Sequence, residues 1–191
     1  SFNMIPLLLL PQFATTAEVG QFGVAHRLVT LASIILVALA SIYSPRFSKH
    51  ATILNVTALK QDLKESQVYS FVAYLPFLLA FLFLSDWILS LFGQEFTEAA
   101  LLLWILALGQ LVNAVSGLVG NFLNMTGREN VEFKLSVAFV VVLVVLIFVL
   151  GRLYGALGVA IAYSVTVAFK NLFTYIAVRR ALQQMTLVVK Q

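Results

Sequence analysis

Amide and cationic side chains recur along this chain in stretches where almost nothing else is polar. Gln110, Asn113, Gly117, Gly120 and Asn124 follow one another at steps of three and four, with Ser116 and Asn121 beside them. At about 100° per residue these positions share one face of a helix. Leu102, Ile105, Leu108, Leu111, Val115 and Leu118 form the oily opposite side. A second stripe is Tyr163, Thr166, Lys170 and Thr174, with Asn171 next to the lysine. A third holds His26, Thr30, Ser33 and Ser41, with Arg27 about 100° from it. Such groups bind polar or anionic solutes by hydrogen bonds and charge. An amide or ammonium group in hydrocarbon needs a partner, so these stripes point at protein or at a wet cavity.

Each group also has a plainer use. Gly117 and Gly120 let helices approach closely, and Asn113 and Asn124 can bond across helices as readily as line a path. His26 suits a proton carrier, its ordinary titration lying near neutrality, and suits a structural hydrogen bond equally. Arg27 is within snorkelling reach of an interface, or of Glu18 or His26. Lys170 stands nine residues before Arg179, roughly 13 Å of helix rise, which is far for snorkelling and favours a cavity.

The elements that must hold these groups are membrane spans. Of 191 residues, 61% are hydrophobic and 10% charged; a soluble domain carries about 25% charge. The sequence predicts an all-α, polytopic helical bundle with five full spans near 20–43, 68–84, 99–125, 134–150 and 156–178. Pro45 should end the first and Pro76 should kink the second. Gly127 is a stop for the third. The fourth, oily all round, faces lipid. Residues 1–13 are apolar but short and interrupted by Pro6 and Pro11, so they read as a partial or re-entrant segment. The remainder, 14–191, is one transmembrane bundle. Residues 44–67 are the longest polar section, with amphipathic turns over 56–63.

Basic residues divide unevenly between alternate loops. Arg46, Lys49, Lys60, Lys64, Arg128, Lys134, Arg179, Arg180 and Lys190 fall on one side and Arg152 on the other. That asymmetry places 44–67, 127–134 and the C-terminus in the cytoplasm. The basic residues form no nucleic-acid patch. There is no cysteine, so thiolate metal sites and disulfides are excluded. No phosphate-binding loop, HExxH or Ser/His/Asp grouping appears, and the acidic residues lie in or beside loops with no catalytic pairing. The expectation is a protein without enzymatic activity or cofactor.

Six segments carry a family resemblance. They are Ala17-Glu-Val-Gly20 with Val24-Ala-His-Arg-Leu28; Ser44-Pro-Arg-Phe47; Trp87-Ile-Leu-Ser-Leu-Phe-Gly-Gln-Glu-Phe96; Ile105-Leu-Ala-Leu-Gly-Gln-Leu-Val-Asn-Ala114; Leu123-Asn-Met-Thr-Gly127; and Tyr154-Gly-Ala-Leu-Gly-Val-Ala-Ile-Ala162. In that order they resemble the C-terminal half of Wzx-type polysaccharide flippases of the multidrug/oligosaccharidyl-lipid/polysaccharide exporter superfamily. The resemblance implies the second bundle of a MATE-like exporter in a bacterial inner membrane, working by alternating access against an N-terminal half. Its implied substrate is an undecaprenyl-diphosphate-linked oligosaccharide. Arg27 and Lys170 would then belong to a cationic lining, and Gln110, Asn113, Asn124, His26 and Asn171 to the path. Pro76, Gly117 and Gly120 would serve packing and hinge motion. Coupling to H+ or Na+ stays open. Two other readings remain: a drug/cation antiporter of the same superfamily, which needs a carboxylate at depth, and a membrane scaffold recruiting a polysaccharide polymerase or glycosyltransferase.

Overall fold

The structure is a computed structural model that describes residues 4–189. Ser1, Phe2 and Asn3 of the opening segment, and Lys190 of the cytoplasmic count, lie outside the described residues. All regular structure among the described residues is helical.

The opening segment forms a five-residue helix, α1 (Ile5–Leu9), and a 3-10 turn (Leu10–Gln12). Pro6 and Pro11 sit in the first turn of each, where the missing N–H removes no hydrogen bond. Thr15 then opens α2 (Thr16–Ala32) through a reciprocal cap: its hydroxyl accepts from the Glu18 N–H, and the Glu18 carboxylate accepts from the Thr15 N–H at 2.8 Å. Glu18 is thereby engaged at the helix start rather than with Arg27.

Only Ser33 separates α2 from α3 (Ile34–Thr52). Pro45 does not end this helix. It sits inside α3, because proline deletes only one backbone bond while its fixed φ is itself helical, and Ser41 and Pro45 both lie on an exposed face. The helix reaches Thr52 and breaks over 53–55, where Leu54 adopts φ 50°. Asn55 caps α4 (Val56–Phe83), its side-chain oxygen accepting from the Ala58 N–H at 3.0 Å. The polar section expected as a loop is therefore mostly the ends of α3 and α4. His50 Nδ1 meets the buried Asp62 carboxylate at 2.7 Å and ties the two helices, with Arg46 nearby over the Tyr43 ring. Pro76 lies within α4, which continues on both sides of it.

After α5 (Ser85–Ser90) and a 3-10 turn (Gln94–Ala99), the stretch expected as one span divides in two. These are α6 (Ala100–Ser116) and α7 (Val119–Met125), with Gly117 at φ 69°, ψ −148° between them. That backbone region is essentially open to glycine alone. Gly127 (φ 73°) does end α7, with Arg128 N–H donating to the Leu123 carbonyl at 2.9 Å.

The last element, α8 (Glu129–Val189), is continuous hydrogen-bonded helix except at Gly155, φ 55°, ψ −133°, where it folds back on itself. A Cβ on Gly158 would fall 1.9 Å from the Leu150 carbonyl oxygen, so the two arms touch at the turn. Phe139 and Phe173, on opposite arms, have ring centroids 5.6 Å apart. Among the described residues, four helical runs are long and apolar enough to cross a membrane: Thr16–Thr52, Val56–Phe83, Gln94–Ser116 and Glu129–Leu187. The last of these is the folded-back pair, so the fourth and fifth spans of the sequence reading are its two arms. The exposed Val137, Val141 and Val145 on the first arm form an apolar outer face.

Two apolar clusters hold the bundle. One gathers Phe22, Tyr74, Leu103, Leu106, Leu143, Ile147 and Val159; the other gathers Phe47, Leu59, Phe122, Leu123, Val178 and Leu182. Helix after helix changes clusters at one level. Ala114 belongs to the first and Leu118 to the second, Tyr74 to the first and Leu63 to the second, Val167 to the first and Val178 to the second. Gly117, Lys170, Asn171 and Thr174 border the gap between them.

Candidate functional site

The gap between the clusters is a cavity of about 480 Å³. Its polar wall brings together Gln110, Asn113, Gly117, Gly120, Asn121 and Asn124 from α6–α7 with Glu132, Tyr163, Lys170, Asn171 and Thr174 from α8. Its apolar wall is Leu36, Val37 and Ala40 of α3. Asn124 and Glu132 also line a second groove with Asn130 and Ser136.

The helix break positions the amides. Gln67 Nε2 donates to the carbonyl of Ser116, an acceptor that the end of α6 leaves without a helical partner, at 3.3 Å. Gly117 packs on the Gln67 backbone, where a Cβ would come within 3.0 Å of Cα. Upstream, Asn113 Nδ2 donates to Gln110 Oε1 (3.1 Å), and Gln110 Nε2 donates to the Tyr163 hydroxyl (3.2 Å). Downstream, Asn121 Nδ2 donates to the Ser44 hydroxyl at 3.2 Å. Asn124 is exposed to the cavity mouth.

The charged part is an ion pair. Lys170 Nζ lies 2.8 Å from Glu132 Oε1, joining the two arms of α8. Glu132 is in the first helical turn of α8, where the helix N-terminus favours a carboxylate. Its oxygen also accepts from the Ser136 hydroxyl at 3.1 Å. The Lys170 side chain is 26% exposed and that of Glu132 13%. Glu132 stands 23 residues before Gly155 and Lys170 15 residues after it, about 34 and 22 Å of helix rise, so the pair lies far from the turn end of the bundle. Lys170 borders the cavity as the sequence suggests, but as a neutralised cation.

Not every candidate faces the cavity. His26 is buried against Phe22 and the edge of Tyr163, with ring centroids 5.8 and 5.5 Å away, and its Nε2 has no hydrogen-bond partner among the described residues. It stands behind the cavity wall. Arg27 is exposed on α2 and does not line the cavity. Pro76 lies on α4 away from it. Gly120 borders the Glu132 carboxylate, a Cβ there lying 3.3 Å from Oε1.

Sequence reasoning missed Glu132 as a site residue. It sits among charged neighbours beside a loop, and only the fold-back brings it to Lys170. Tyr163 and Thr174 were visible on the Lys170 stripe, and Asn121 beside the amide stripe.

These features define a multi-pass helical membrane protein with an amide-lined cavity between its helices. Over 168 residues the chain is 24% identical to a protein of Haloferax volcanii described as "Probable low-salt glycan biosynthesis flippase Agl15". The alignment covers 87% of this chain and 36% of that protein, so the chain spans about a third of the length of this curated relative. No family model matches the chain, and no solved structure does.

Proposed function

We propose that this chain forms part of a flippase that carries a lipid-linked oligosaccharide across a membrane. The observation that carries the reading is the cavity itself: five amides, a tyrosine and an ion pair gathered around one space in a largely apolar bundle. Amide groups offer donors and acceptors together, as sugar hydroxyls require. The apolar α3 wall beside them suits the lipid portion. The name of the Haloferax relative points the same way. No covalent step is needed, and the reading includes no enzymatic activity and no cofactor.

In this reading the chain is one bundle of a two-bundle, MATE-like exporter. Alternating exposure of the cavity would turn on the Gly117 break and the Gly155 fold-back. The end of the bundle bearing Arg46, Lys49, Lys60, Lys64, Arg128, Lys134, Arg179 and Arg180 is cytoplasmic, following the charge asymmetry. The membrane is the inner membrane of a bacterium, and undecaprenyl diphosphate the lipid carrier. Glu132 also gives the antiporter reading the carboxylate that it needs. Dye efflux from a transporter-deficient strain would support that second reading.

The test is complementation. Full-length protein carrying Asn113→Leu with Asn124→Leu should lower surface glycan at least about tenfold at equal protein level, whereas Val141→Ala on the outer face should leave it unchanged. Normal glycan from the double amide variant would remove the cavity from the mechanism.

A further inference from the structure

Lys170 and Glu132 are the two charged side chains that line the cavity among the described residues, and they neutralise each other. A cavity meant simply to attract an anion would leave its cation open. Here the cation is held by an internal anion from the other arm of the same hairpin. We infer that Glu132 is a built-in competitor: the phosphate linkage of the carried lipid takes Lys170 from Glu132, so binding is an exchange of one ion pair for another. This inference rests on the flippase reading and names the anion site within it.

Three observations support the exchange. First, the pair is bordered by cavity on both sides, Glu132 lining both grooves, so an incoming oxyanion can reach Lys170 without unpacking a helix. Second, the displaced carboxylate keeps a partner. Ser136, one turn on along the same arm, donates to it independently of Lys170. Thr174 lies 3.4 Å from its other oxygen. Third, a phosphate group carries more charge and more acceptor oxygens than a carboxylate, so it displaces Glu132 from one ammonium while a neutral alcohol does not. Because the pair joins arms 129–154 and 156–189 far from Gly155, the exchange also removes a tie at the open end of the hairpin. Binding and loosening of the second arm are then a single event. Without Glu132, a bound anion would stay on Lys170, and release would be slow.

The experiment uses full-length protein in detergent with farnesyl diphosphate as probe, farnesol as neutral control and inorganic diphosphate as the lipid-free anion. Glu132→Gln keeps the shape and, through its one oxygen, the hydrogen bonds from Lys170 and Ser136, but not the charge. It should bind farnesyl diphosphate about tenfold more tightly, Lys170→Gln about tenfold more weakly, and the double variant should behave as Lys170→Gln. Farnesol binding should not respond. A parallel gain for inorganic diphosphate in Glu132→Gln supports the exchange with the anion alone as the ligand; a gain confined to farnesyl diphosphate supports it with the lipid anion as the ligand. In the unaltered protein, a carbodiimide should couple Glu132 to Lys170 as an intrachain amide detectable by mass spectrometry, and farnesyl diphosphate should suppress that product. This second measurement needs no variant to fold. Unchanged coupling at saturating probe, or unchanged affinity in Glu132→Gln, would overturn the exchange while leaving the flippase reading in place. Absence of any binding of farnesyl diphosphate to the unaltered protein would count against both.

Discussion

At the scale of single residues, Lys170 and Glu132 are worth more as neighbours than as charges. Each alone would be an ion facing low-dielectric surroundings, and removing one partner of a buried pair costs about 3–5 kcal/mol. Both groups here keep some exposure, so Lys170→Met should destabilise the protein by less, about 2 kcal/mol. Lys170→Met combined with Glu132→Leu should recover most of that loss, because no unpaired charge remains. Unfolding in mixed detergent with dodecyl sulfate would measure both. The lysine was legible in the sequence, since a charge far inside an apolar run stands out. Its partner was not, because Glu132 shares its stretch with Arg128, Glu129 and Lys134 and looks like an ordinary loop-end carboxylate. Partnership across 38 residues depends on the fold-back, and local pattern does not encode it. Arg27 marks the same limit from the other side: the family resemblance implied a place in the cavity lining, yet its Cα–Cβ direction carries it to the exposed face of α2.

At the scale of elements, the decisive feature is a broken helix. The period of polar residues over 99–125 describes one continuous face, and the count of apolar residues supports a single span. Periodicity does not register a backbone reversal at one residue, so the division at Gly117 is invisible to it. The glycine stands out in the sequence, but as a packing residue. Its geometry separates these roles. Gly117→Ala would force a side chain into φ 69° and bring a methyl within 2.7 Å of Gln67 Cγ. Strain of this kind costs about 1–3 kcal/mol, and the loss should appear as a lowered unfolding midpoint. At Gly23, within α2, an added Cβ would meet nothing within 4 Å, so Gly23→Ala should hold or raise stability by up to about 1 kcal/mol. If the two alanine variants unfolded alike, the break at Gly117 would carry no special conformational demand. Helix ends repeat the lesson: Gly127 stops its helix as the sequence indicates, whereas Pro45 does not, because one deleted hydrogen bond on an exposed face is a weak stop.

At the scale of the whole molecule, apolar surface faces outward and a polar layer lies within, the reverse of a soluble protein. Composition alone made the membrane class legible, since few charges and long apolar runs admit little else. The position of the layer was not legible, because it emerges where two apolar clusters from different helices leave a gap at one level. Asn171 and Leu172 turn this into a sharp test. They are adjacent in sequence and therefore at nearly one depth, yet Asn171 lines the cavity while Leu172 is exposed on the apolar exterior. The 191 residues contain no cysteine, so one introduced here is the sole thiol of this stretch. Maleimides react with the thiolate, which forms in water and not in hydrocarbon. A membrane-impermeant maleimide should therefore label Asn171→Cys readily and Leu172→Cys at least about tenfold more slowly in intact membranes. A depth effect alone would slow both equally. Equal labelling of the two positions would mean that water reaches this level from all sides, and that the polar layer is a lipid–water boundary, not a cavity enclosed among helices.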